Sequence, residues 1–152
     1  MNKKSTWMGL LLSAILSGAL PVGTGAQAPA PSSIALLVLN QPPCTVPSAK
    51  SILKAKLAYV IAEKEESEYG FAVSIKFQSV DPRMTFSSGT QGVIPVTIRH
   101  DTLTLEYPLA KIWANEKLRR PLTCYLYLHR NTGPGRSTVI ARTPPIVFRE
   151  CM

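Results

Sequence analysis

The chain has 152 residues, with 17 Lys and Arg against 9 Asp and Glu, for a formal net charge of +8. Hydrophobic residues make up 45% of it, enough for one domain with a real core, and no internal repeat or second domain can be read. Two His and three scattered Cys without C-x-x-C or H-x-x-x-H spacing give no basis for expecting a metal site, and nothing in the sequence calls for a cofactor.

The N-terminus reads as a secretory signal peptide over residues 1–26. Lys3 and Lys4 form its positive region, and an apolar run from Trp7 to Leu20 ends at Pro21. That run is too short for a bilayer span of about 20 residues, so no transmembrane anchor is expected. Small residues follow, and cleavage after Ala26 is preferred because Pro29 would crowd a cut after Ala28. No cysteine occurs before Cys44, which argues against a lipid anchor. The style is that of a bacterial export signal, so a soluble periplasmic or secreted product is expected. Residues 27–43 read as a Pro-rich linker that ends in a short apolar strand from Ile34 to Leu39, and residues 44–152 as the folded domain.

The stretch from Ser51 to Glu66 is open to two readings. As a strand it puts Leu53, Ala55, Leu57, Tyr59 and Ile61 on one face and Lys54 and Lys56 on the other; as a helix Lys56 intrudes on the apolar stripe. The strand is preferred. It is expected to form a hairpin with the next strand, Phe71 to Gln78, through a charged, solvated tip that includes Glu63, Glu65, Glu66 and Glu68. Alternation continues at Ile94, Val96 and Ile98, at Leu103, Leu105, Tyr107 and Leu109, and at Leu122, Cys124, Leu126 and Leu128. Asp81-Pro82-Arg83, Ser87-Ser88-Gly89 and His100-Asp101 read as connections, and Asn131 to Gly135 as a loop that returns Ser137 to Arg142 along the preceding strand. Pro144-Pro145 breaks the ladder before an edge strand from Ile146 to Arg149. The expected fold is all-β: a single β-sandwich or flattened barrel of about seven antiparallel strands, preceded by the signal peptide.

An odd cysteine count in an oxidising compartment implies one disulfide and one free thiol. Cys124 falls on the leucine face of its strand, which favours Cys44–Cys151 over Cys44–Cys124 and Cys124–Cys151. Catalytic patterns are sparse. Cys124 and His129 fall on opposite faces of one strand, no serine has a G-x-S-x-G context, and Gly133-Pro134-Gly135 is turn punctuation rather than a phosphate loop. A non-enzymatic protein is expected, with a small secreted hydrolase as the reserve reading.

Charge points to binding. From Lys111 to Arg149 the basic residues Lys111, Lys117, Arg119, Arg120, Arg130, Arg136, Arg142 and Arg149 face only Glu116. Tyr125 and Tyr127 share the face of their strand opposite the leucines with His129. Arg119, Arg120, Tyr125, Tyr127, Arg130 and Arg136 are the candidate binding residues, because tyrosine and arginine are favoured at interfaces. The expected partner is an anionic envelope component or an acidic protein rather than nucleic acid, in an accessory role in envelope assembly or secretion. The architecture also invites comparison with fimbrial or adhesin-type subunits, with the segment from Ile34 to Leu39 completing a neighbour's sheet by strand addition. Fimbrial subunits usually pair cysteines early in the chain, and this chain does not.

Overall fold

Residue alternation decides the architecture, strand by strand. The structure is a computed structural model that describes residues 30–40, 49–87 and 92–148. The expected signal peptide, both cysteines of the favoured disulfide (Cys44 and Cys151) and Arg149 lie outside the described residues.

Among those residues the fold is an all-β sandwich of two antiparallel sheets. The smaller sheet runs β1 (Ser33–Leu39), β2 (Ile52–Val60), β6 (His100–Pro108). The larger centres on β3 (Phe71–Gln78) and β7 (Thr123–Gly133). Along one side of β3 lie β4 (Thr85–Phe86) and β5 (Val93–Val96); along the far side of β7 lie β8 (Arg136–Arg142) and β9 (Ile146–Val147). Nine strands stand among the described residues against the expected seven or so; the one the sequence pattern passes over is β4, a two-residue piece too short to show alternation, while the expected edge strand from Ile146 appears as the short β9.

The 51–66 ambiguity resolves to a strand. Leu53, Ala55, Leu57 and Tyr59 are buried while Lys54 and Lys56 stay outside, which only a two-residue period allows. They meet Val73, Ile75 and Phe77 of β3, Leu105 and Tyr107 of β6, and Cys124, Leu126 and Leu128 of β7 in one core. Phe77 and Tyr107 meet at a centroid distance of 5.2 Å. Each such fully buried aliphatic side chain contributes roughly 1.5–3 kcal/mol. The strand from Ile34 to Leu39, read with the linker, is an edge strand of the sandwich, and Ile34 enters the core.

Two expected connections are corrected. β2 and β3 are not a hairpin: β2 pairs with β1 and β6, while β3 pairs with β4, β5 and β7. Ile61 and Ala62 are buried beyond the end of β2 and draw the chain across to the other sheet. The guanidinium of Arg99 fixes this crossing by donating to the carbonyls of Ala62 (2.8 Å) and Glu65 (3.1 Å). His100-Asp101 is not a connector either; both residues belong to β6, and the switch of sheet falls at residues 97–99. The sequence pattern also passes over α1 (Ala110–Trp113), a single turn with Leu109 and Ile112 fully buried.

Candidate functional site

The inward set of β7 is apolar, so its outward set is where chemistry collects. Tyr125, Tyr127 and His129 project from the outer face of the larger sheet beside Ser74, Lys76 and Gln78 of β3. Tyr125 and Tyr127 stack at 6.0 Å, and Tyr127 meets His129 edge-on at 5.8 Å. The Tyr125 hydroxyl donates to Gln78 Oε1 at 3.1 Å, and Gln78 Nε2 donates to the carbonyls of Ser79, Asp81 and Met84. The amide orientation is thereby set, and with it the tilt of the Tyr125 ring.

His129 is locked between two serines, with Ser74 Oγ 2.6 Å from Nε2 and Ser137 Oγ 3.3 Å from Nδ1. Burial, with a smaller contribution from the Lys76 charge, pushes its pKa down to about 4. The ring is therefore neutral at physiological pH, with one nitrogen donating and the other accepting. Burial also lowers the Lys76 amine, which donates to Ser87 Oγ at 2.9 Å. Ser74 and His129 stand at nucleophile–base distance, yet Ser74 is only 1% exposed, so no substrate reaches it in this arrangement. The contact ties β3 to β7. Sequence reasoning missed it because Ser74 and His129 meet only through the register of two distant strands.

The sheet opens at the other end. Arg119, Pro121, Thr123, Tyr125, Pro145 and Val147 line a concavity of about 460 Å³. The backbone N–H of Arg119 donates to the Gln78 carbonyl and holds that wall against the end of β3. Arg142 lies with its guanidinium carbon 5.9 Å from the centroid of the Tyr125 ring. No carboxylate among the described residues pairs with Arg119 or Arg142.

The six candidate residues divide. Arg119 and Tyr125 share this groove, and Tyr127 adjoins it through the ring stack. Arg120 turns to Trp113, stacking over its ring at 5.0 Å and donating to its carbonyl. Arg130 pairs with Glu65 at 3.1 Å, so the acidic segment is not merely a solvated tip. Arg136 is exposed at the far hairpin, beside a second shallow depression lined by Tyr69, Asn131 and Ser137 among others. Eight residues of strand separate Tyr125 from Gly133, the register partner of Arg136, roughly 25 Å. Arg136 therefore lies at the opposite end of the sheet from the Arg119–Tyr125 groove. Arg142 belongs to the basic run but not to the six candidates; its place beside Tyr125 follows from its pairing with Tyr127.

Comparison with protein-family models, curated proteins and solved structures finds no match for this chain. Among the described residues no helix is long and apolar enough to cross a membrane, and no group of three or more His, Cys, Asp or Glu is placed to hold a metal ion. Cys124 is unbridged and fully buried.

Proposed function

We propose that this protein is an exported, non-enzymatic β-sandwich binding module that takes an anionic partner in the groove between Arg119 and Tyr125. One observation carries the reading: Arg119 shares a concave site with an oriented tyrosine, Tyr125, whose ring has Arg142 beside it, and no carboxylate among the described residues neutralises either arginine. A guanidinium beside an aromatic wall suits a carboxylate or phosphate attached to an apolar body. Read with the export signal, the module serves envelope assembly or secretion as an accessory, and its partner is an anionic envelope component or an acidic protein.

The test is surface plasmon resonance with the exported chain over anionic phospholipid vesicles, heparin and zwitterionic vesicles. Binding to an anionic surface should weaken as salt rises and fall about tenfold in an Arg119→Glu, Arg142→Glu variant, chiefly through slower association. Equal binding by variant and parent, or equal binding to zwitterionic vesicles, would overturn the reading.

A further inference from the structure

The turn that joins β3 to β4 reverses the usual chemistry of a turn. Turns in water favour polar side chains. In Ser79-Val80-Asp81-Pro82-Arg83-Met84 the polar groups are spent on the backbone and apolar side chains face solvent. Gln78 Nε2 donates to the carbonyls of Ser79, Asp81 and Met84, and the Arg83 amide donates to Asp81 Oδ1 at 2.9 Å. The Ser79 amide donates to the Met84 carbonyl and the Met84 amide to that of Asp81, both at 3.1 Å. Val80 is 63% and Met84 59% exposed, and neither belongs to the core. A hydrogen-bonded backbone thus presents two large apolar side chains in a fixed shape.

Positive charge flanks this apex. The Val80 amide and the Ser79 hydroxyl both donate to the Lys117 carbonyl, at 2.9 and 3.0 Å, which ties the turn to residues 114–120. In these two segments the exposed cations Arg83, Lys117, Arg119 and Arg120 stand against Asp81 and Glu116. None of these cations pairs with a carboxylate among the described residues, and the Asp81 carboxylate already accepts the Arg83 amide. Gln78 joins this end of the sandwich to the groove: its carbonyl accepts the Arg119 amide and its Oε1 the Tyr125 hydroxyl.

We propose that this turn docks the protein on an anionic lipid bilayer, with Val80 and Met84 entering the interfacial layer and Arg83 and Lys117 meeting lipid phosphates. This rests on the anion-binding groove proposed above and makes a bilayer the source of its anions. Shape and charge both select a bilayer over an acidic protein. The apolar residues cap the convex end of a hairpin, which a protein could take only in a matching pocket, whereas headgroups and acyl chains yield around it. Apolar side chains flanked by cations also match the layering of a bilayer, with acyl chains beneath phosphates. Interfacial apolar groups bury about 5–10 Å deep. Exposed cations are drawn to the surface from within about 8 Å at physiological salt, so attraction precedes insertion.

Flotation of the exported chain with lipid vesicles tests this. It should float with vesicles of equal parts phosphatidylglycerol and phosphatidylcholine and not with phosphatidylcholine alone. Val80→Ser with Met84→Ser, at exposed positions and without change of charge, should keep the far-UV spectrum and heparin binding while vesicle affinity falls about tenfold. Where that variant folds poorly, Met84→Cys carrying an environment-sensitive dye gives a second readout, since Cys124 is buried. Its emission should shift blue on the anionic vesicles and be quenched by a spin label on the acyl chain. A parent that binds heparin but not anionic vesicles, a folded serine variant with parental vesicle affinity, or a dye that stays in water on bound protein would each overturn the proposal. Heparin separates the two readings: Arg119→Glu with Arg142→Glu should lower heparin binding, and the serine variant should not.

Discussion

The guanidinium of Arg130 lies 3.1 Å from the carboxylate of Glu65, 65 residues away in sequence, at side-chain exposures of 37% and 16%. An acidic segment that resembles a solvated tip thus neutralises one member of the basic C-terminal run. It also steadies the crossing between sheets, where Ser67 Oγ donates to the Asn131 carbonyl and Asn131 Nδ2 to that of Tyr69.

Arg130→Glu should therefore act on stability rather than recognition. A half-exposed pair of this kind contributes up to about 1 kcal/mol after solvent screening, and reversal adds like-charge repulsion. Urea titration should show a lower midpoint, while the association rate with an anionic surface stays near that of the parent. A large loss of association with unchanged stability would place Arg130 in the binding surface after all.

His129 makes the domain acid-sensitive. Its folded-state pKa is depressed to about 4 from an ordinary 6.5. Between those values the unfolded chain takes up a proton that the folded chain refuses. Stability from this residue is intact above pH 6.5, declines as pH falls, and is lost below about pH 4. The whole effect is on the order of 3 kcal/mol. Chemical denaturation of the parent and of His129→Gln across this window checks it. The gap between their stability–pH curves should change by that amount, and parallel curves would show that the imidazole does not titrate as inferred.

Cys124 should be chemically silent in the native protein. It is fully buried, and burial pushes the thiol up to about 12. The thiolate fraction at neutral pH then falls by about three orders of magnitude relative to an ordinary cysteine. Iodoacetamide should label it only in denaturant. Non-reducing peptide mapping of the exported chain should recover Cys44 joined to Cys151, and a bridged Cys124 would contradict both expectations.

Gly92 should not accept a side chain. Its φ is +75°, and a Cβ there would lie 2.7 Å from both Ile75 Cγ2 and Tyr107 Cδ2, in the core between the two sheets. Its carbonyl also accepts from the Ile75 amide at 3.1 Å, so the backbone is not free to retreat. Gly92→Ala should cost about 2–4 kcal/mol from backbone strain and overpacking together. Thermal unfolding measures it, and an unchanged midpoint would mean that the core yields at this point.

Much of the fold can be read from the chain alone because side-chain parity is local. Alternation in Leu53 to Ile61, Phe71 to Phe77 and Leu122 to Leu128 specifies which side of each strand is buried, before any partner is known. The same parity turns Cys124 inward and puts Tyr125, Tyr127 and His129 outward. It also places Arg130 on the leucine side, away from the tyrosines beside it in sequence. Strand partners are another matter. β2 and β3 alternate equally well as hairpin partners or as members of opposite sheets, and only the burial of Ile61 and Ala62 with the Arg99 contacts selects the crossing. The groove has the same origin. Arg119, Tyr125, Arg142 and Pro145 are spread over four segments of chain, and they meet because β8 and β9 both return along β7. The sequence by itself determined which face of each strand turns to the core, since that follows from a two-residue period. Only the tertiary structure decided which charges are paired and which stand open, since a charge is neutralised by whatever the fold brings within a few ångströms, at any distance along the chain.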